Sequence, residues 1–226
     1  MKDDSESFQL SGLSSRQVKV VSKTWPKVLL LFFGVMLIST TSLIAQTPNF
    51  DQLKERFESG EVFVADFNHT YTDSYTGESV SSSGNIWIDK NRYKLQSEGQ
   101  TVVVDGKFSR VYDMNRNRVI IDYYEPEDDD FAPSRMLSGI DSTYTVSEES
   151  LRNQTKITLE STDDFAVFVQ VEIMLDRQNR PVKITAWDIS DNEIVTRFEE
   201  GKFVGSQSGL FELEYPADAE VVDMRY

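Results

Sequence analysis

The chain has 226 residues, no cysteine, a single histidine and a formal net charge of −15. Lack of cysteine excludes disulfides, thiol catalysis and a cysteine-ligated zinc, and one histidine cannot supply an imidazole cluster for a metal. The acidic balance also sets the chain against nucleic acid and anionic lipid headgroups.

Lys27 is followed by an apolar run at 28–38, a hydroxyl run at 39–42, and Leu43-Ile44-Ala45 before Gln46. A cationic flank, a short apolar core and a small residue ahead of a polar start are the layout of a secretory signal. Cleavage between Ala45 and Gln46 is therefore expected, and Gln46 stands where a lipid-anchored protein would need cysteine. The alternative is a retained signal anchor, but the continuous apolar run is shorter than the ~20 residues that span a bilayer. Residues 1–45 thus read as an N-terminal extension and signal peptide, and 46–226 as a single domain. The leader holds five basic and three acidic side chains, so the domain is more acidic still.

Within the domain, 49–60 reads as one amphipathic helix, with Asn49 as N-cap, Phe50, Leu53 and Phe57 on one face, and Gly60 as terminator. From Glu61 onward the period changes to two. Phe63, Ala65, Phe67, His69 and Tyr71 share one face of the first strand, 61–71. In the second, 79–89, Ile86 and Ile88 share a face with Trp87 opposite. Further strands are expected at 92–96, 101–105, 108–113, 118–124, 142–146, 152–160, 165–176, 182–188, 194–203 and 210–214. Asp105-Gly106, Met114–Asn117 and Arg177–Pro181 supply hairpin punctuation. One helix followed by about eleven strands with short links predicts a mainly β (α+β) fold, a curved antiparallel sheet that curls strongly. The pattern breaks at 125–130, where Glu and Asp dominate, and Ser134 then caps a short helix holding Met136 and Leu137 that Gly139 ends. That helix reads equally as a lid over a barrel mouth or as a surface crossover whose Met and Leu join the core.

Catalytic signatures are sparse. His69 sits in mid-strand between large apolar neighbours, as a structural histidine does. In Gly205-Ser-Gln-Ser-Gly209 the central residue is Gln207, so the serine-centred nucleophile elbow fails. Asp128-Asp-Asp130 lacks the spaced oxygen ligands and glycine of a calcium loop. A carboxylate-pair hydrolase has no pair that stands out from the acidic background. The residues argue for binding over catalysis, with no cofactor and no metal. Many alternating strand positions are large and apolar, among them Phe63, Phe67, Trp87, Tyr93, Phe168 and Phe198, which either fill a core or line a hydrophobic pocket. A pocket of that kind gains ~0.8 kcal/mol for each methylene it buries.

The order of motifs resembles the periplasmic outer-membrane lipoprotein carrier family (LolA-type). It is carried by Phe63-x-x-x-Phe67-x-His69, Gly84-Asn-Ile-Trp87-Ile88, Val104-Asp-Gly-Lys107, Val111-Tyr-Asp113, Pro133-x-x-Met136-Leu137-x-Gly139 and Phe211-x-Leu213-x-Tyr215-Pro216. The resemblance implies an open half-barrel of about eleven strands, closed by an N-terminal helix and short lid helices around a cavity for acyl chains. It implies a monomeric periplasmic carrier or chaperone and not an enzyme. Its partners would be acylated lipoproteins, an inner-membrane ABC transporter as donor and an outer-membrane acceptor. The lipid-binding residues implied are Phe63, Phe67, Trp87, Tyr93, Leu95, Met136, Leu137 and Phe168. A family arginine that latches the lid is replaced here by Lys90, and the proline after it is missing, so Lys90 or Arg92 would take its role. The alternative within the fold is an envelope lipid-binding or protein-interaction module with a specialised lipid or none.

Overall fold

The computed structural model describes residues 46–126, 129 and 132–226. The signal at 28–45, its cleavage point, the domain boundary there and most of the acidic run 127–131 lie outside the described residues.

Two helices and one 12-stranded sheet make up the described chain. Helix α1 (Pro48–Glu58) opens on Thr47 as N-cap, not Asn49. Pro48 explains the shift, since its fixed φ and missing N–H suit the first helical position. The free N–H groups of Asn49 and Phe50 are taken by Glu148, whose carboxylate accepts both at 3.0 and 3.1 Å. Phe50, Leu53 and Phe57 form the buried face of α1.

The strands are β1 (Glu61–Thr72), β2 (Ser79–Ile88), β3 (Tyr93–Ser97), β4 (Gln100–Val104), β5 (Phe108–Asp113) and β6 (Arg118–Tyr123). After α2 (Pro133–Ser138) come β7 (Tyr144–Ser150), β8 (Thr155–Ser161), β9 (Phe168–Leu175), β10 (Pro181–Asp188), β11 (Glu193–Gly205) and β12 (Glu220–Asp223). Their spatial order is β12-β6-β5-β4-β3-β2-β1-β11-β10-β9-β8-β7, open at both ends, which bears out the mainly β half-barrel. All pairs are antiparallel but one: β12 runs parallel to β6, with Glu220 opposite Arg118.

The predicted strand at 210–214 is not a strand. Phe211 instead docks on the outer face of the sheet, buried with Val62 and Val103 and flanked by Trp87, Leu210 and Leu213. Alternating apolar residues are the mark of a strand, but they equally suit a segment lying across a sheet.

The main core fills the inner face. Phe63 packs edge-on against Phe198 at 5.4 Å between ring centres. Around it stand Ile86 and Ile88 of β2, Ile157 and Leu159 of β8, and Ile173 and Leu175 of β9. Gly84 permits the tight β2–β3 approach: a Cβ there would lie 1.9 Å from the Gln96 carbonyl oxygen. Helix α2 is entered through Ala132 and Pro133, with Ser134 buried inside it, and closes on Gly139 at φ 101°. Here again proline at the first position displaces the expected serine cap. A Cβ on Gly139 would meet the Phe50 ring at 3.3 Å, so α2 ends tightly against α1.

Candidate binding cavity

A cavity of about 270 Å³ lies between the inner face of the sheet and α2. Phe67 and His69 of β1 form its floor with Ile194, Thr196 and Phe198 of β11. The register explains this, because Phe67 pairs with Phe198 and His69 with Thr196. Val102, Leu95 and Ile86 form one cross-strand row over β4, β3 and β2. All three line the wall. Opposite Phe67 on β2 stands Gly84, whose missing side chain leaves room there. Pro133 and Met136 of α2 roof the space.

The polar groups at its margin are few. His69 Nδ1 lies 2.9 Å from Thr196 Oγ1, and burial lowers its pKa below the ordinary 6.5, so the ring is neutral at neutral pH. Tyr93 donates from its hydroxyl to Asp129 at 2.8 Å. Burial, and then the negative charge of Asp129, push the Tyr93 hydroxyl well above its usual pKa, so it remains a donor. An apolar pocket with two fixed polar spots at its edge is built to hold a greasy ligand and orient it.

Of the predicted lipid-binding residues, Phe67, Tyr93, Leu95 and Met136 line this cavity. Phe63, Leu137 and Phe168 lie deeper, in the packed core. Trp87 faces the other way, against Val103 and Phe211 on the outer surface, because it is out of phase with Ile86 and Ile88. A cavity role for Trp87 is therefore excluded by its face. Neither expected latch bonds the lid. Lys90 reaches Glu58 of α1 at 2.7 Å, and Arg92 pairs with Asp89 at 2.5 Å while its guanidinium covers the Phe211 ring at 4.5 Å. Both are short of α2 but share a polar cleft of about 670 Å³ with its Ser134 and Arg135. Among the described residues, the hydrogen bond from Tyr93 to Asp129 ties the sheet to the segment leading into α2.

Sequence reasoning missed Val102, Ile184, Ile194, Thr196 and Asp129 as lining residues, and offered Phe198 only as core or pocket. Ile194, Thr196 and Phe198 alternate in one phase, a signal that could have been paired with Phe67. Asp129 carried none. Among the described residues, no group of three or more His, Asp or Glu is placed to hold a metal, and no helix is long and apolar enough to cross a membrane.

The open half-barrel, with an apolar cavity on its inner face beneath a short helix, defines the fold class of this protein. The family model described as "Outer membrane lipoprotein carrier protein LolA" matches residues 58–213, and the chain belongs to that family. Among solved structures, an uncharacterized conserved protein from Thermus thermophilus is similar in fold at 14% identity and a TM-score of 0.50, over 76% of this chain and 98% of that one. A LolA superfamily protein from Nitrosomonas europaea is 11% identical, with a TM-score of 0.39 over 72% of this chain and 97% of that one. No curated protein matches.

Proposed function

We propose that this protein is an exported, monomeric carrier that takes acyl chains of lipoproteins into the α2-roofed cavity and shuttles them through the periplasm. In this reading an inner-membrane ABC transporter loads it and an outer-membrane acceptor unloads it. The observation that carries the reading is the apolar cavity under Met136, with Phe67 and Phe198 in its floor and Leu95 in its wall.

At about 270 Å³ the cavity falls just under the ~300–1,000 Å³ of ordinary small-molecule sites. Long acyl chains therefore require Met136 and the rest of α2 to move away. Cargo favours the open form, and in the closed form the lid side chains refill the space, which is a population shift. Each methylene buried in the open form contributes ~0.8 kcal/mol, and that gain offsets the lost lid contacts.

The test fills the cavity without disturbing the outer face. Val102→Trp should leave thermal unfolding cooperative and reduce uptake of a triacylated peptide at least tenfold. Native mass spectrometry of the wild-type protein from its own host should carry an acylated adduct. A wild-type protein that takes up no acylated probe, or a Val102→Trp variant that binds as wild type, rejects the carrier reading.

A further inference from the structure

Three hairpin connections meet at one end of the sheet. Thr72 at the end of β1 pairs with Glu193 at the start of β11, and Asp188 at the end of β10 pairs with Phe168 at the start of β9. The β1–β2, β10–β11 and β8–β9 connections therefore lie side by side. The first two are joined: Ser74 donates its N–H to Asn192 Oδ1 at 2.9 Å and its hydroxyl to the Ser190 carbonyl at 2.6 Å.

Each tip presents a large apolar side chain to solvent. Tyr75 is 97% exposed, Ile189 66% and Phe165 91%, with Val80 of β2 behind them at 70%. Single exposed apolar residues are ordinary, but a cluster at adjacent tips marks an interaction site. The tips are also held in place by aspartates. Asp73 accepts the N–H groups of Tyr75 and Thr76 at 3.0 and 2.7 Å. Asp163 accepts that of Phe165 at 2.9 Å, and Asp188 that of Ser190, next to Ile189, at 2.7 Å. Such ordering lowers the entropy lost when the tips are immobilised by a partner.

Charge decides what kind of partner fits. The three connections carry Asp73, Glu78, Asp163, Asp164 and Asp191, and no Lys, Arg or His. An anionic bilayer surface would be repelled by that ring. A basic protein surface with apolar sockets would be attracted, because aromatic anchors inside a charged rim are the anatomy of a protein interface.

We propose that Tyr75, Ile189 and Phe165 form the docking edge for such a basic protein surface. None of the three lines the cavity, so this edge works whether or not the cavity takes acyl chains.

The experiment places a photoreactive benzoylphenylalanine at Phe165 of the full chain, expressed in its own host. The expected result is an adduct with one protein through a peptide of net positive charge. Its yield should fall at least tenfold when Tyr75→Ser and Ile189→Ser are added, and again when the basic residues of the captured peptide are changed to Glu. Adducts with lipid alone, no protein adduct, or a yield that ignores the rim substitutions would each overturn the proposal. A second arm uses purified Tyr75→Ser/Ile189→Ser/Phe165→Ser protein. Its uptake of an acylated probe should match wild type, which separates loss of docking from loss of the fold or of the cavity. Wild-type protein that binds phosphatidylglycerol vesicles, with binding lost in this variant, would assign the edge to membranes instead.

Discussion

The Tyr93 hydroxyl donates a 2.8 Å hydrogen bond to the Asp129 carboxylate and so joins β3 to the segment leading into α2. This bond reaches the lid segment from the cavity wall, in the place where a cationic latch was expected on Lys90 or Arg92. Tyr93 is only 9% exposed, so the bond forms away from most competing water.

Tyr93→Phe keeps the ring and removes the donor. A bond to a charged acceptor in such a site contributes about 1.5–3 kcal/mol, so the closed lid should lose a comparable amount. Stopped-flow uptake of an acylated fluorophore should be several-fold faster than in wild type. An unchanged rate would mean that the bond does not restrain the lid.

His69 makes stability depend on pH. Its pKa is lowered in the folded state by burial, so below the ordinary value of 6.5 the unfolded chain binds a proton more readily. The contribution of neutral His69 is therefore complete above pH 6.5 and is lost as the pH falls toward the depressed folded value. Urea unfolding midpoints of wild type should drop across that window more steeply than those of His69→Gln. Parallel pH profiles would assign the acid sensitivity elsewhere.

Glu148 substitutes for a local helix cap. Glu148→Ala leaves the N–H groups of Asn49 and Phe50 without their carboxylate and should cost about 0.5–2 kcal/mol, the range of ordinary capping losses. Chemical denaturation reads this directly. A midpoint within error of wild type would mean that water replaces the cap fully.

Phe211 closes the outer mini-core. Phe211→Ala should destabilise the protein by about 3–5 kcal/mol, as truncation of buried Phe does, yet leave the affinity for an acylated probe intact. Loss of affinity in protein that remains folded would link the outer face to the cavity.

Much of the architecture was legible in the sequence because strand burial has a period of two. The alternation of Phe63, Ala65 and Phe67 gave the inner face of β1, and Ile86 and Ile88 gave that of β2. The same alternation put Trp87 on the outer side, while its size and the family resemblance suggested a place in the pocket. What was not legible depends on partners distant in sequence. Nothing in Val221-Val222 tells that β12 will run parallel to β6 instead of antiparallel to a neighbour. Asp129 lies in an acidic run with no periodicity, so its approach to Tyr93 has no local signal. The two helix caps were misplaced for one local reason, since Pro48 and Pro133 each begin a helix one residue before the expected capping side chain.

Helix α1 is fastened at both ends to separate parts of the sheet, to Glu148 on edge strand β7 and, through Glu58, to Lys90 between β2 and β3. Its 11 residues, about 16 Å at 1.5 Å per residue, therefore act as a spacer of fixed length between those parts. The half-barrel cannot widen by splaying its strands without breaking one of these fastenings. In the carrier reading, room for a larger guest comes first from displacing α2, while α1 holds these two parts of the sheet at their present spacing.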